Sequence, residues 1–329
     1  MQGEGFVMQG QERRPSRRQA QILLFTAMLG LFVCSFFIGF LRALNQRLGI
    51  AHGELFYTAA TSVIYYTLFI ILPAGLFAIR QPGLGENIRF KPLGGRAAFL
   101  IVLCAPFGVL FSTYANALWL TLIQALGGVI PPSPSVHAGS SAELIGLICV
   151  SAILPAVCEE LLFRGMLLSA WEEKGSIRAM LIVTVWFTMM HGSIESIPAQ
   201  FIGGLIMAFL VICTDSLFAG IVYHTVYNAL VLIINNASSE TEAVTGSYYE
   251  ALGGASGMVS VVLLGLIMGG MLFFLLRRLY KGYCAKGFGF APAKARKCAV
   301  SEYVIILCCA ALGLMLYAMN LAEILGVAG

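Results

Sequence analysis

The sequence predicts an all-α polytopic membrane protein with about eight to nine transmembrane helices and a cluster of polar side chains inside the bundle. Of its 329 residues, 59% are hydrophobic and only 11% are charged, a composition unlike that of a soluble domain. Apolar runs of roughly 17–25 residues recur along the chain, and each is long enough to cross the hydrocarbon core as a helix. The basic residues lie mostly between alternate runs, which is typical of a multi-pass membrane protein.

The apolar runs define nine candidate spans. In chain order they cover approximately residues 20–41, 56–79, 97–127, 143–170, 177–191, 197–213, 216–237, 256–280 and 301–328. The fifth and sixth spans are short enough to be tilted or partly re-entrant. The first span follows four arginines, and its apolar core is too long for a signal peptide, so we expect it to be a retained anchor.

Charge asymmetry predicts the orientation of the spans. If the arginine-rich N-terminus is cytoplasmic, all but three of the 20 Lys and Arg residues lie in the cytoplasm. The three exceptions are Arg42 and Arg47, in an outer loop, and Arg164, inside the fourth span. Because short cytoplasmic loops carry an excess of Lys and Arg, we expect a cytoplasmic N-terminus and nine crossings.

The fourth span carries three charges within the stretch CEELLFRG, residues 158–165. A charge at the centre of a transmembrane helix costs roughly 2.5–3.5 kcal/mol on insertion scales, and such residues are usually functional. Glu160 and Arg164 are four residues apart and share a helix face, so we expect them to pair. Glu159 points about 100° away and has no local partner, which predicts a free carboxylate. Pro155 removes a backbone donor and is expected to bend or open the helix there.

Two of the four histidines lie in later spans. Counting helix rise from the expected cytoplasmic ends places Glu159 about 18 Å into the membrane and His191 about 20 Å. The same count places His224 at about 12 Å and Asn228 at about 18 Å. His224 and Asn228 share one helix face, and Phe187 precedes His191 by the same spacing of four residues. Three helices are therefore expected to bring a carboxylate, two imidazoles and an amide to similar depths.

These residues form three motifs: Glu-Glu-x-x-x-Arg at 159–164, Phe-x-x-x-His at 187–191 and His-x-x-x-Asn at 224–228. In order and spacing they resemble the motifs of the CPBP family, which contains the type II CAAX prenyl endopeptidases and bacterial relatives also called Abi proteins. The stretch EELLFRG is similar to the bacterial branch. The resemblance covers about residues 140–237 and implies a hydrolase that cleaves peptide bonds within the membrane.

The resemblance also implies a role for each motif residue. Glu159 would activate a water molecule with help from His191, while His224 and Asn228 would stabilise the oxyanion. The remaining motif positions, with supporting roles, are Glu160, Arg164 and Phe187. These residue types suit the chemistry, because a desolvated carboxylate can take a proton from water. Fixed N–H donors in a dry site can stabilise the oxyanion of a tetrahedral intermediate.

The expected organisation has four parts. Residues 1–19 form a basic cytoplasmic N-terminus, and residues 20–139 form the N-terminal transmembrane helices. Residues 140–237 form the CPBP/Abi catalytic core, and residues 238–329 form the C-terminal transmembrane helices with a basic cytoplasmic loop. We expect a multi-pass protein of a bacterial cell membrane that acts in the lipid bilayer on a membrane-associated peptide or protein and binds no nucleic acid. Its oligomeric state is left open.

Zinc is the alternative to catalysis without a cofactor. His191, His224 and either Glu159 or Glu160 would form a set of two histidines and one glutamate with an open fourth position, as in several zinc hydrolases. The sequence contains no His-Glu-x-x-His motif. Catalysis without a metal is therefore preferred over a zinc metalloprotease.

Two other functions are compatible with the same residues. A proton-coupled transporter would use the buried Glu and His cluster as a relay. Few polar residues, such as Asp215 and Glu323, would continue that relay towards the membrane surfaces. A non-catalytic scaffold or immunity protein would keep the helices but would not need costly buried charges. The intramembrane endopeptidase is the interpretation that we favour.

Overall fold

Apolar helices account for nearly all of the described chain. The computed structural model describes residues 15–50, 52–80, 84–130, 137–237, 247–284 and 299–325, and these ranges contain no β-strand. The long helices, in chain order, are α1 Arg17–Arg47, α2 Glu54–Arg80, α3 Gly95–Ala125, α4 Ser141–Trp171, α5 Ser176–His191, α6 Ile197–Thr214, α7 Leu217–Ala237, α8 Gly254–Cys284 and α9 Val300–Ile324. Eight of them are long and apolar enough to cross a membrane, and α5 is a shorter apolar helix. The predicted all-α polytopic membrane fold is confirmed.

The predicted spans match these helices in number and order, but several helices continue beyond the apolar run. Helix α1 continues from the predicted end at residue 41 to Arg47, and α8 continues from residue 280 to Cys284. Hydropathy marks only the part of a helix that suits hydrocarbon, whereas backbone hydrogen bonding continues into the polar interface. Some of the predicted features lie outside the described residues: the basic stretch 285–298, the arginines before residue 15 and the end of the ninth span.

Helix α4 is wider than an ideal α-helix in two places. The segments Cys149–Ile153 and Leu161–Leu168 have π-helical geometry, and Pro155 lies two residues after the end of the first segment. The missing N–H of a proline leaves one carbonyl without its usual helical donor, which favours a local change in winding. Single π-helical turns occur often at functional sites. The second wide segment begins immediately after Glu160, so the three charges lie where the helix changes its pitch.

The helices form an inner group and an outer group. Helix α6 is the most enclosed of the eight spanning helices, because 56% of the residues in its apolar segment are buried. In α8 and in α9 the buried share of the apolar segment is 11%. Helix α8 packs along α3, and α9 packs against α1 and α5. Large apolar side chains such as Phe36, Leu266 and Leu307 point outwards and are more than 60% exposed. In a membrane protein such side chains face lipid, so these faces of α1, α8 and α9 form part of the outer surface of the bundle.

Charged residues from three connections meet at one end of the bundle. Arg89 Nε donates to Asp215 Oδ1 at 2.9 Å, and its guanidinium also pairs with Glu172. Lys91 pairs with the same aspartate, and the Leu217 amide donates to the Arg89 carbonyl at 2.7 Å. The connections α2–α3, α4–α5 and α6–α7 therefore lie together, as the predicted alternation of spans requires.

This cluster predicts a large difference between two arginine substitutions. Arg89 and Glu172 have side chains that are 11% and 4% exposed, whereas Arg42 and Glu54, an outer pair, are 47% and 61% exposed. We expect Arg89→Ala to lower the free energy of unfolding by about 2–3 kcal/mol, because hydrogen bonds to charged groups are lost from a partly dry site. Arg42→Ala, the matched control, should cost less than about 1 kcal/mol. Thermal unfolding in detergent measures both, and equal effects would contradict the distinction.

Candidate active site

The predicted pairing of Glu160 with Arg164 is confirmed. Arg164 Nη1 lies 2.7 Å from Glu160 Oε1, and neither side chain is exposed. Arg164 Nη2 donates to the carbonyl of Gly204 on α6 at 2.9 Å. Its guanidinium also lies over the ring of Phe187 on α5, 4.6 Å from the ring centroid. A buried ion pair is better tolerated when further polar contacts support it. Arg164 obtains one hydrogen bond from α6 and a cation–π contact from α5, while its Nε has no hydrogen-bond partner among the described residues.

Glu160 also holds His224 in place. His224 Nδ1 lies 3.1 Å from Glu160 Oε1, so its N–H donates to the carboxylate that already binds Arg164. The close approach depends on Gly220, one turn earlier on α7, because a Cβ there would lie 2.3 Å from Glu160 Oε2. A hydrogen bond at one ring nitrogen determines the orientation of the other. The Nε2 atom of His224 is thereby turned towards Glu159.

Glu159 is not the partnerless carboxylate that the helical phase predicted. Tyr66 Oη on α2 donates to Glu159 Oε1 at 2.6 Å. Tyr66 lies on a helix far away in sequence, whereas helical phase predicts only the neighbours of Glu159 on its own helix. Glu159 Oε2 is enclosed and accepts no hydrogen bond from the described part of the chain, and His224 Nε2 lies 3.9 Å from it. The two oxygens of this carboxylate therefore have different surroundings.

His191 lies at the end of α5, beside Phe187. Its Nδ1–H donates to the Phe187 carbonyl at 2.8 Å, which leaves Nε2 for other contacts. The Phe187 ring lies between both histidines, with its centroid 4.6 Å from that of His191 and 5.9 Å from that of His224. Phe187 thus contacts each imidazole and the Arg164 guanidinium, which accounts for its place in the second motif.

The four predicted catalytic residues line one cavity. The cavity has a volume of about 400 Å³, and its walls include Glu159, His191, His224 and Asn228. Tyr66 lines it as well. A volume of this size is typical of a site for a small ligand or a short stretch of peptide. The structure therefore brings the carboxylate, both imidazoles and the amide together, whereas Glu160 and Arg164 lie behind the cavity wall.

Several cavity residues were not predicted from the sequence, and the two that bear on the proposed chemistry are Tyr66 and Gln200. Tyrosine is common in the chain, with 12 copies, and its apolar ring carries the hydroxyl into a membrane at little cost. Tyr66 therefore gives no signal comparable to a buried charge. Gln200 gives a weak one, since it is an amide within an apolar span, but no motif includes it.

The zinc alternative requires three ligands that converge on one point. Among the residues that the structure describes, no group of three or more His, Cys, Asp or Glu side chains is arranged to hold a metal ion. Glu160 Oε1 is already engaged by Arg164 and His224, and His224 Nδ1 is engaged by Glu160. The observed contacts therefore do not support a metalloprotease, and catalysis without a cofactor stays a prediction.

Comparison with known proteins adds one finding. Residues 141–230 match the model of a family described as type II CAAX prenyl endopeptidase, Rce1-like. No curated protein and no solved structure gives a significant match. The matched region contains every motif residue from Glu159 to Asn228, whereas Tyr66 lies outside it.

The buried ion pair predicts a test by single and double substitution. Arg164→Met removes the cation that neutralises Glu160, and an uncompensated buried charge costs roughly 3–5 kcal/mol. Glu160→Gln combined with Arg164→Met leaves no such charge, so we expect the double variant to be more stable than Arg164→Met alone. Thermal unfolding in detergent measures both variants against wild type. If the double variant were the least stable of all, the two side chains would not act as a neutralising pair.

Proposed function

We propose that this chain, whose residues 141–230 form an Rce1-like type II CAAX prenyl endopeptidase domain, is an intramembrane endopeptidase that hydrolyses a peptide bond with a water molecule activated by Glu159. The observation that carries the proposal is the asymmetry of the Glu159 carboxylate. Tyr66 donates to Oε1, while Oε2 is enclosed and accepts no hydrogen bond from any described residue, at a cavity shared with His191, His224 and Asn228. The membrane location of the protein agrees with the eight helices in the described residues that are long and apolar enough to cross a bilayer.

Glu159 acts as the general base in this mechanism. A water molecule beside Oε2 gives its proton to the carboxylate while its oxygen attacks the carbonyl carbon of the substrate. The separation of 3.9 Å between Oε2 and His224 Nε2 allows both groups to contact the same water or the same reacting carbonyl. A positioned base of this kind contributes roughly 10²–10⁴-fold to the rate.

His224 and Asn228 act on the oxyanion that forms from the substrate carbonyl. Because His224 donates its Nδ1–H to Glu160, donation from Nε2 as well requires the doubly protonated ring. Asn228 lies one turn further along α7 and offers an amide N–H to the same cavity. Donors that are already oriented in a dry site stabilise developing charge without reorganisation.

The second half of the reaction returns the proton. The tetrahedral intermediate collapses, the bond between carbonyl carbon and nitrogen breaks, and the protonated Glu159 supplies a proton to the leaving nitrogen. The products are a new carboxyl group and a new amine. His191 assists at this stage, because its Nδ1–H is held by the Phe187 carbonyl and its Nε2 is left for the substrate or water.

The substrate class follows from the position of the cavity and from the family. A cavity enclosed by transmembrane helices is reached by a peptide that is held at or in the bilayer. The family is described as type II CAAX prenyl endopeptidase, and we take a prenylated CAAX peptide as the candidate substrate from that description. A fluorogenic peptide with a farnesylated cysteine, compared with the same peptide without the lipid, tests whether this chain shares that preference.

Replacement of Glu159 tests the mechanism directly. With protein reconstituted in liposomes and the two fluorogenic peptides as probes, Glu159→Gln should lower the cleavage rate by roughly 10²–10⁴-fold, because the base is lost. Glu143→Gln, an exposed glutamate on the same helix, is the matched control and should cleave at the wild-type rate. Cleavage by Glu159→Gln at the wild-type rate would overturn the proposal.

Inhibition of wild type by a chelator, reversed by zinc, would contradict the metal-free mechanism. Peptide-driven proton flux without cleavage would favour a transporter.

Two neighbouring tyrosines give a second test. Tyr66→Phe removes the donor to Glu159, and a hydrogen bond to a charged group is worth roughly 1.5–3 kcal/mol. We expect kcat to fall by at least about ten-fold with little change in KM, since the substrate does not bind to this hydroxyl. Tyr65→Phe is the matched control, because within the described residues its hydroxyl donates to the Met190 sulfur, at 3.7 Å, and not to Glu159. Equal kcat values for the two variants would show that Tyr66 does not position Glu159.

A further inference from the structure

A chain of side-chain hydrogen bonds leads from the loop between α5 and α6 to the cavity wall. Gln200 Nε2 donates to Ser196 Oγ at 2.6 Å, and Ser196 Oγ donates to Ser193 Oγ at 2.7 Å. Ser193 Oγ then donates to Glu195 Oε2 at 2.9 Å. The other carboxylate oxygen, Oε1, accepts from Asn320 on α9 at 3.0 Å. None of these residues has a role in the proposed mechanism.

The Glu195 carboxylate at one end of this series of hydrogen bonds determines which group donates in each bond. An ionised glutamate only accepts hydrogen bonds, so Ser193 must donate to it. The Ser193 oxygen is then an acceptor for Ser196, and the Ser196 oxygen is an acceptor for the amide nitrogen of Gln200. The direction of each bond therefore orients the Gln200 amide, and its Oε1 is left as an acceptor.

Gln200 presents this acceptor beside the proposed catalytic residues. The side chain lines the same cavity as Glu159 and His191, and its Oε1 is enclosed without a hydrogen-bond partner in the described residues. Next to it on α6, Ala199 and Gly203 also line the cavity. A Cβ added to Gly203 would contact only the terminal methyl of Met207, at 3.9 Å. No bulky side chain therefore fills the space beside Gln200, where a peptide backbone could lie.

We propose that Gln200 binds the backbone of the substrate: its Oε1 accepts a hydrogen bond from one peptide N–H, and Ser196, Ser193 and Glu195 position the amide for that purpose. The inference rests on the proposed function, because it takes a peptide as the occupant of the cavity. An extended peptide that enters a dry cavity must satisfy the N–H of each residue that it buries. An amide oxygen with a fixed orientation meets that need for any side chain, so it would position the peptide without reading its sequence.

Backbone N-methylation provides the test. Each N–H of a fluorogenic peptide is replaced in turn by N–CH₃, and binding to the cleavage-deficient Glu159→Gln protein is measured alongside cleavage by wild type. In the proteins that keep Gln200, we expect methylation at one peptide position to weaken binding about ten-fold and to lower kcat/KM by about the same factor. The loss of one buried hydrogen bond has about this effect. Gln200→Met, which keeps the length of the side chain, should show the same loss with the unmethylated peptide and no further loss on methylation.

Two further variants separate binding from folding. Gln46→Met, on an exposed position of α1 away from the cavity, should bind and respond to methylation as wild type does. Ser193→Ala frees the Ser196 hydroxyl to donate to Gln200, which reverses the amide, so the response to methylation should disappear although Gln200 is present. Additive effects of methylation and Gln200→Met at every position would overturn the inference. Binding without cleavage by wild type would overturn the proposed function alone, and wild-type protein that binds no peptide would overturn both.

Discussion

The buried ion pair between Glu160 and Arg164 is the interaction on which the arrangement of the cavity depends. Removal of two charges from water costs several kcal/mol per ion, and contacts with other groups offset part of that cost. Those groups belong to three different helices. Arg164 binds the Gly204 carbonyl on α6 and stacks on Phe187 of α5, while Glu160 binds His224 on α7. The contacts of this one ion pair therefore connect four helices, including the two that carry the motif histidines.

This arrangement divides the adjacent glutamates between two tasks. Glu160 faces Arg164 and His224, is fully enclosed and has no access to a substrate. Glu159, one residue earlier, faces the cavity with one oxygen held by Tyr66 and the other left without a hydrogen bond from the described residues. Adjacent residues on a helix diverge by about 100°, so two carboxylates can occupy a structural and a reactive environment in a single turn. The charge that the membrane disfavours most is thus confined to one carboxylate at the site of the proposed chemistry.

The sequence predicts the helices and the motif residues because both are local features. Hydropathy identifies each span, and a spacing of four residues predicts the Glu160–Arg164 pair without knowledge of any other helix. Contacts between distant helices are not encoded in this way. Tyr66 meets Glu159 across 93 positions, and Arg89 meets Asp215 across 126. Gln200 becomes noticeable only when the bonds through Ser196 and Ser193 to Glu195 are known. The π-helical turns of α4 also escape the sequence, because a proline indicates a disturbed helix but not the direction in which it is disturbed.

The most direct test of the account is the fate of the attacking oxygen in a single turnover. Excess protein cleaves the fluorogenic peptide in water enriched in oxygen-18, and mass spectrometry follows the label in the product and in the peptide fragment that contains Glu159. We expect one labelled oxygen in the new carboxyl group and none in Glu159, because the activated water attacks the substrate directly. Label in the Glu159 carboxylate, with an unlabelled first-turnover product, would instead identify Glu159 as a covalent nucleophile and contradict its role as the base.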